Sequence, residues 1–167
     1  MEGTYIMTDI AYVHGDATQP HGIGARIIVH ICNDIGGWGA GFVLALSRRW
    51  PAPEQQYRAW HRLGDTTPFA LGQVQFVPVG DALWVANLIG QHDIRRANGV
   101  PPIRYDAVRQ GLARVAAFAQ LQGATVHMPR IGSGLAGGDW NEISRIVVEE
   151  LTDRGTPVTV YDLPRRS

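Results

Sequence analysis

Four short groups of residues in this chain could do chemistry. The first is His30-Ile31-Cys32-Asn33, followed by four glycines in six residues, Gly36, Gly37, Gly39 and Gly41. A histidine moves protons near neutral pH, a cysteine is a nucleophile once ionised, and an asparagine amide both donates and accepts. Glycines let the backbone take positive φ and come close to a ligand, and the unpaired N–H groups of a helix start favour an anion. The second group is Gln91-His92-Asp93, the third Ile131-Gly132-Ser133-Gly134-Leu135, and the fourth Gly15-Asp16-Ala17-Thr18. Two anion-friendly glycine loops meeting in one cleft suit a diphosphate better than a single phosphate.

Each group also has a plain structural reading. Gly36-Gly37-Trp38-Gly39-Ala40-Gly41 is neither the G-x-G-x-x-G fingerprint of dinucleotide sites nor a P-loop, since no Gly-Lys-Ser/Thr follows, so its glycines could serve a tight connection alone. His30 lies inside an apolar run, where a histidine is often a satisfied core residue. Cys32 reads as a small buried apolar residue rather than a nucleophile. Asn33, at the end of the run, reads as a site residue. Gln91, His92 and Asp93 are either site residues or a solvated loop. Asp139 reads as a helix cap. His21 and the arginines Arg95, Arg96 and Arg104 read as ordinary loop residues. Trp38 is either a lid over a ligand or packing.

The elements that must hold these groups can be read from patterning. Residues 27–31 are apolar, nearly continuous and β-branched, as in a strand covered on both faces. Residues 42–46 then read as helix, with a stop at Pro51. A second helix starts at Pro53-Glu54, with proline at its first position, and runs to about Leu63. Residues 4–13 hold one or two short strands, 72–78 alternate like a strand, Gly80-Asp81 is a hairpin turn, and 83–89 form a central strand. Residues 104–122 form an amphipathic helix closed by Gly123. Residues 125–128 are a strand, Asp139 with Glu142 opens a helix running to about Gly155, and residues 157–163 are a last strand. Alternating strands and helices predict an α/β fold, a three-layer α/β/α sandwich on a mixed, largely parallel sheet. Ligands in such sheets bind beyond the carboxyl ends of the strands, where both glycine loops begin.

The 167 residues suit a single domain, 1–167, with a full core. Hydrophobic residues at 45% and charged ones at 18% exclude a disordered chain, and a net charge of zero speaks against gripping nucleic acid by bulk charge. One cysteine excludes an intrachain disulfide and a cysteine-based zinc site. No signal peptide and no apolar run of membrane-spanning length is present, so a cytoplasmic protein is expected, monomeric and without membrane or direct nucleic-acid partners.

Taken in order, Gly15-Asp16, His30-Ile31-Cys32-Asn33 with Gly36-Gly37-Trp38-Gly39-Ala40-Gly41, Met128-Pro129-Arg130-Ile131-Gly132-Ser133-Gly134-Leu135 with Trp140, and Val158-Thr159-Val160-Tyr161 resemble a macrodomain, the ADP-ribose-binding module, over nearly the whole chain. Within macrodomains the pattern is most similar to the branch that contains the terminal ADP-ribose protein glycohydrolase, and the fungal ADP-ribose 1″-phosphate phosphatase shares the Ile/Val-His-x-Cys-Asn and Trp-Gly-x-Gly pattern. The resemblance implies ADP-ribose or ADP-ribosylated proteins as partners and no cofactor or metal. It implies that Asp16, beside Ala17, accepts from the adenine amino group and that residues 161–163, Tyr161 and Leu163 among them, border the adenine. It implies that Asn33 holds the distal ribose. The backbones of Gly39, Ala40, Gly41, Phe42 and Val43 and of Ile131, Gly132, Ser133, Gly134 and Leu135 would cradle the diphosphate.

The chain departs from that branch at the catalytic positions. The glycohydrolase's lysine has no counterpart, since the chain contains no lysine, and its aspartate is replaced by Ala136. The lysine-adduct mechanism therefore does not carry over. Three readings follow: a hydrolase that removes ADP-ribose from proteins, a reader that only binds, and an ADP-ribose 1″-phosphate phosphatase. The first is favoured for a free-standing domain. An ester of the distal ribose with Asp or Glu is its expected target, because a carboxylate leaves unprotonated. Asn33 would then hold the ribose while His30, Gln91 or His92 orients the water.

Overall fold

The computed structural model describes residues 9–164. One six-stranded sheet carries the fold, with strands β1 (Ala11–His14), β2 (Arg26–Asn33), β3 (Val74–Gly80), β4 (Leu83–Gln91), β5 (Thr125–Met128) and β6 (Val158–Asp162) in the order β1-β6-β5-β2-β4-β3. Every neighbouring pair is parallel except β3 with β4. Helices α1 (Phe42–Arg49) and α2 (Ala52–Leu63) cover one face, and α3 (Tyr105–Gln122) and α4 (Trp140–Glu150) the other. The expected three-layer sandwich is therefore what forms.

β2 shows why. Its alternate residues belong to different cores: Ile27 and Val29 pack in the layer under α3 and α4, and Ile28 and Cys32 in the layer under α1 and α2. A strand buried on both faces has few polar positions to spare, which explains an apolar run from Ile27 to Cys32 broken only by His30. Leu88 and Ile89 of β4 divide between the two cores in the same way. α3 ends as its sequence predicts, with Gly123 left-handed at φ 64° and its N–H bonded to the last turn. Asp139 caps α4 by accepting from Asn141 N–H at 2.9 Å.

Three local expectations are corrected, and a fourth lies partly outside the described residues. Pro53 is the second residue of α2, after Ala52, because Pro51 already occupies the cap. The hairpin turn falls one residue later than expected, at Asp81-Ala82, since Gly80 still pairs with Leu83. α4 does not run to Gly155; it stops at Glu150 and gives way to a 3-10 turn at Thr152–Arg154. Of the segment expected to hold one or two strands, β1 is the described part, and residues 4–8 lie outside the described residues.

One irregularity opens the sheet. β4 follows β2 to Asn33, but β5 pairs with it only through Arg26, Ile27 and Ile28. β5 ends at Met128, Pro129 follows, and the upper part of β2 loses its neighbour on that side. The result is a notch at the carboxyl edge, with the glycine loop after β2 on one side and that after β5 on the other.

Candidate functional site

Two cavities meet in this notch. One, of about 260 Å³, is lined by His30, Ile31, Gly41, Phe42, Arg130, Ile131, Gly132 and Gly134, among others. The other, of about 420 Å³, is lined by Cys32, Asn33, Gly37, Trp38, Gly39 and Ile94. Ile31, Ala40, Val43, Gln91 and Leu135 line both, so the two are parts of one cleft. Among the described residues no Asp, Glu or Lys lines either.

The smaller cavity has the character of an anion seat. Gly41 caps α1 at φ 82°, ψ −147° with no side-chain cap bond; Leu44 N–H bonds Gly41 O at 3.1 Å, and the N–H groups of Phe42 and Val43 are left for a ligand. The second loop closes on itself, Gly138 N–H to Gly132 O at 2.8 Å and Gly137 N–H to Gly134 O at 3.0 Å. Leu135 stands 76% exposed over the cleft.

Asn33 is built into its own loop. Its Oδ1 accepts from Ile35 N–H at 3.1 Å, from Gly37 N–H at 2.9 Å and from the Tyr57 hydroxyl at 2.9 Å, and its Nδ2 donates to Gly37 O at 2.9 Å. One amide hydrogen remains for a ligand. Tyr57 also reaches Asn33 O at 2.6 Å. Burial pushes the Tyr57 hydroxyl far above its ordinary pKa, so it stays a donor.

His30 forms part of the cleft floor and is 2% exposed. Its Nε2 meets Asn87 Oδ1, while Asn87 Nδ2 is committed to Pro53 O at 3.2 Å and Gln75 Oε1 at 3.0 Å. The Asn87 amide is thus oriented with oxygen toward the ring, which places the proton on Nε2. Burial, opposed by the Asn87 bond, lowers His30 to about 4, so the ring is neutral and Nδ1 is an acceptor without a partner. Cys32 is buried, and burial pushes its thiol well up, so no thiolate forms near neutral pH.

Trp38 is a wall and not a lid: it is 4% exposed, its indole N–H donates to Ser47 Oγ at 2.8 Å, and that hydroxyl donates to Glu54 at 3.0 Å. Gln91 donates to Asp93 O at 2.9 Å. His92 lines neither cavity; its Nδ1 lies 2.7 Å from Asp34 Oδ2. Ser133 turns its hydroxyl onto Arg130 O. Arg104 and Arg96 bond carbonyls of their own loop, as expected of loop residues.

The residues expected at the adenine lie apart from this cleft. Asp16 lines a separate cavity of about 350 Å³ with Thr18, Ala45, Arg48 and Arg49, along the far half of α1. Asp16 Oδ1 already accepts from Thr18 N–H and Thr18 Oγ1, both at 2.8 Å. Ala17 is buried, and Leu163 is exposed. Tyr161 is buried: its hydroxyl accepts from His21 N–H at 2.7 Å and meets His127 Nδ1 at 2.7 Å, while His127 Nε2 meets Thr125 Oγ1 at 2.7 Å. This chain pins the loop that follows Asp16, giving His21 a structural part through its backbone.

The sequence reading missed Tyr57, Asn87 and Asp34. Asn87 left a signal, a lone amide in an apolar strand. Tyr57 left none, since a tyrosine on a helix facing a core is ordinary.

No family model matches the chain. The mouse chromodomain-helicase-DNA-binding protein 1-like is 33% identical over 167 residues, 95% of this chain and 18% of that protein, so the chain spans under a fifth of that relative. The ADP-ribose 1″-phosphate phosphatase of Saccharomyces cerevisiae is 25% identical over 183 residues, 94% of this chain and 100% of that protein. Among solved structures, a protein of unknown function from Bacteroides thetaiotaomicron is 57% identical with a TM-score of 0.90, covering 93% of this chain and 98% of that one. A macrodomain protein from Streptomyces coelicolor is 53% identical with a TM-score of 0.83, covering 93% and 100%.

Proposed function

Because the chain belongs to the macrodomain family, we propose that it binds ADP-ribose in the notch of the sheet and releases it from modified proteins, with Asp/Glu esters as the bond cut. One observation carries the binding: two glycine loops face each other across the gap where β5 stops and β2 continues. The smaller cavity, between the start of α1 and Gly132-Ser133-Gly134, suits the diphosphate. The larger one, beside Asn33 and Gly37, suits the distal ribose. The adenosine then runs along α1 toward Asp16. From Phe42 to Ala45 and Arg49 is three to seven residues, roughly 5–10 Å of helix at ~1.5 Å each.

The lining supports the choice of linkage. An alcohol or guanidine leaving group wants an acid to protonate it, and among the described residues no Asp, Glu or Lys lines the cleft. An Asp/Glu ester has least need of one at the sugar carbon, where its carboxylate can leave unprotonated, and its carbonyl, which serine and arginine linkages lack, offers a second point of attack. The yeast relative that acts on ADP-ribose 1″-phosphate supports a site for this ligand class. We read the protein further as a cytoplasmic monomer; among the described residues no helix is long and apolar enough to cross a membrane.

The same lining favours a second reading, a reader that binds ADP-ribose without turnover. An auto-modified ADP-ribosyl transferase and defined peptides carrying ester, serine and arginine linkages separate the two. Release from the ester alone is expected. Tight binding with every label retained selects the reader, and release from serine or arginine with the ester spared refutes the ester assignment.

A further inference from the structure

An Asp–His pair stands at the rim of the larger cavity and has no part in holding the fold's cores. Asp34 directly follows Asn33 at the end of β2, and His92 directly follows Gln91 at the end of β4; Asn33 and Gln91 are register partners and both line the cavity. Ile94, two residues past His92, lines it as well. The pair is therefore flanked by cavity wall on both strands while lying outside the lining itself.

The carboxylate is fixed from both sides. Asp34 Oδ2 takes His92 Nδ1 at 2.7 Å, and Asp34 Oδ1 accepts from Asp93 N–H at 2.8 Å. Burial raises the Asp34 carboxyl, but the Asp93 N–H and the His92 ring outweigh it and hold the group below its ordinary range, so it is ionised. Asp93 adopts φ 61°, a left-handed backbone that a residue with a Cβ seldom takes, and its own Oδ1 accepts from Ile94 N–H at 2.6 Å. The turn that presents His92 is thus held in an uncommon shape by Asp34. An acceptor at Nδ1 places the ring proton there and leaves the lone pair on Nε2, in a side chain 58% open to solvent.

We propose that Asp34 and His92 are the acid–base pair of the ester hydrolysis and that the water attacks the ester carbonyl, not the sugar carbon. This rests on the hydrolase reading given above. The ribose lies within the cavity, and the acyl group that joins it to the protein emerges at the rim, where His92 stands. Nε2 takes a proton from water as its oxygen bonds to the carbonyl carbon. The bond from that carbon to the ribose oxygen then breaks, and the ribose oxygen receives the proton from the imidazolium. The products are ADP-ribose and a free carboxylic acid, which ionises. Asp34 holds the ring and stabilises its charged form.

Hydrolysis of a defined Asp-ester peptide in ¹⁸O-water tests this. Label is expected in the peptide carboxylate. His92→Gln, at an exposed position, and Asp34→Asn should each lower kcat by about 10²-fold or more with ADP-ribose affinity unchanged by calorimetry. Wild-type rates in His92→Gln, or a peptide carboxylate without label, overturn the pair's role and leave the hydrolase reading standing. A wild type that binds ADP-ribose but releases none from the ester removes both.

Discussion

The Tyr57 hydroxyl of α2 touches Asn33 twice, at its backbone carbonyl (2.6 Å) and at its side-chain oxygen (2.9 Å), and so ties the glycine loop to the second helix. Tyr57→Phe leaves the buried Asn33 carbonyl short of a partner, at a cost of about 1–3 kcal/mol. Denaturation should show that loss, and calorimetry a weaker hold on ADP-ribose, although Tyr57 lines neither cavity. Asn33→Ala removes both anchors of Gly37 as well and should cost more on both measures. Unchanged affinity in Tyr57→Phe would show that the loop needs no such tie.

The two loop glycines should respond differently. Gly41 sits at φ 82°, and a Cβ there would lie 3.5 Å from Leu135 Cδ1, so Gly41→Ala strains the backbone and should lower stability by about 1 kcal/mol as well as weaken binding. Gly134 has ordinary φ and open space around it. Gly134→Ala should keep the wild-type melting temperature and lose affinity only through the ligand. Full affinity in that variant would place the diphosphate elsewhere.

Asp16→Ala should weaken ADP-ribose binding by about 1.5–3 kcal/mol, the scale of a hydrogen bond to a charged group. It also frees Thr18, whose N–H and hydroxyl both donate to Asp16. Thr18→Val removes the hydroxyl bond and keeps the carboxylate. It should bind nearly as wild type; an equal loss in both variants would assign the effect to loop shape and not to the adenine.

Stability should fall on mild acidification. Burial lowers His30 to about 4, and burial with the neighbouring Arg26 and His21 charges lowers His127 to about 4. Unfolded, both titrate near 6.5. Below that value the unfolded chain takes up protons that the folded one refuses, so this stability is complete above about pH 6.5 and is lost progressively toward pH 4, with slope up to about 1.4 kcal/mol per unit for each ring. Asp34 and Asp162, both depressed, add losses at lower pH. Melting temperatures between pH 7.5 and 4.5 check this, and His30→Gln should remove roughly half the slope. A flat profile in the wild type would mean that these rings are protonated in place.

The fold was legible because its signals are local and repeated. The apolar run of β2, the helical spacing over α3 with Gly123 at its end, and the Asp139 cap each say where an element lies, and alternation of strand and helix says how they stack. The site was legible only as far as it is backbone: the glycine loops were placed, and they do meet. Side-chain roles were not. Asn33 reads as a ligand residue, yet three of its four hydrogen bonds shape residues 33–37, because bonds between sequence neighbours leave no pattern. His92 reads as one of three water-orienting candidates, but its partner Asp34 lies 58 residues away and meets it only once β2 and β4 pair.

The notch between β5 and β2 exists because one strand is short. An interior strand whose upper half has lost a neighbour is a sheet edge in the middle of a sheet, with main-chain groups open to a fifth or sixth residue of β5 or to a stray peptide strand. Pro129, placed where β5 would continue, has no N–H to offer that ladder. Its job is terminating a strand on time, and the width available to a ligand is set there. A Pro129→Val exchange gives the ladder its missing donor, inviting β5 to lengthen into the cleft, so the main-chain amides of residues 29 and 31, which face that side, would then exchange with deuterium more slowly in the free protein, as they otherwise should only when ligand is bound.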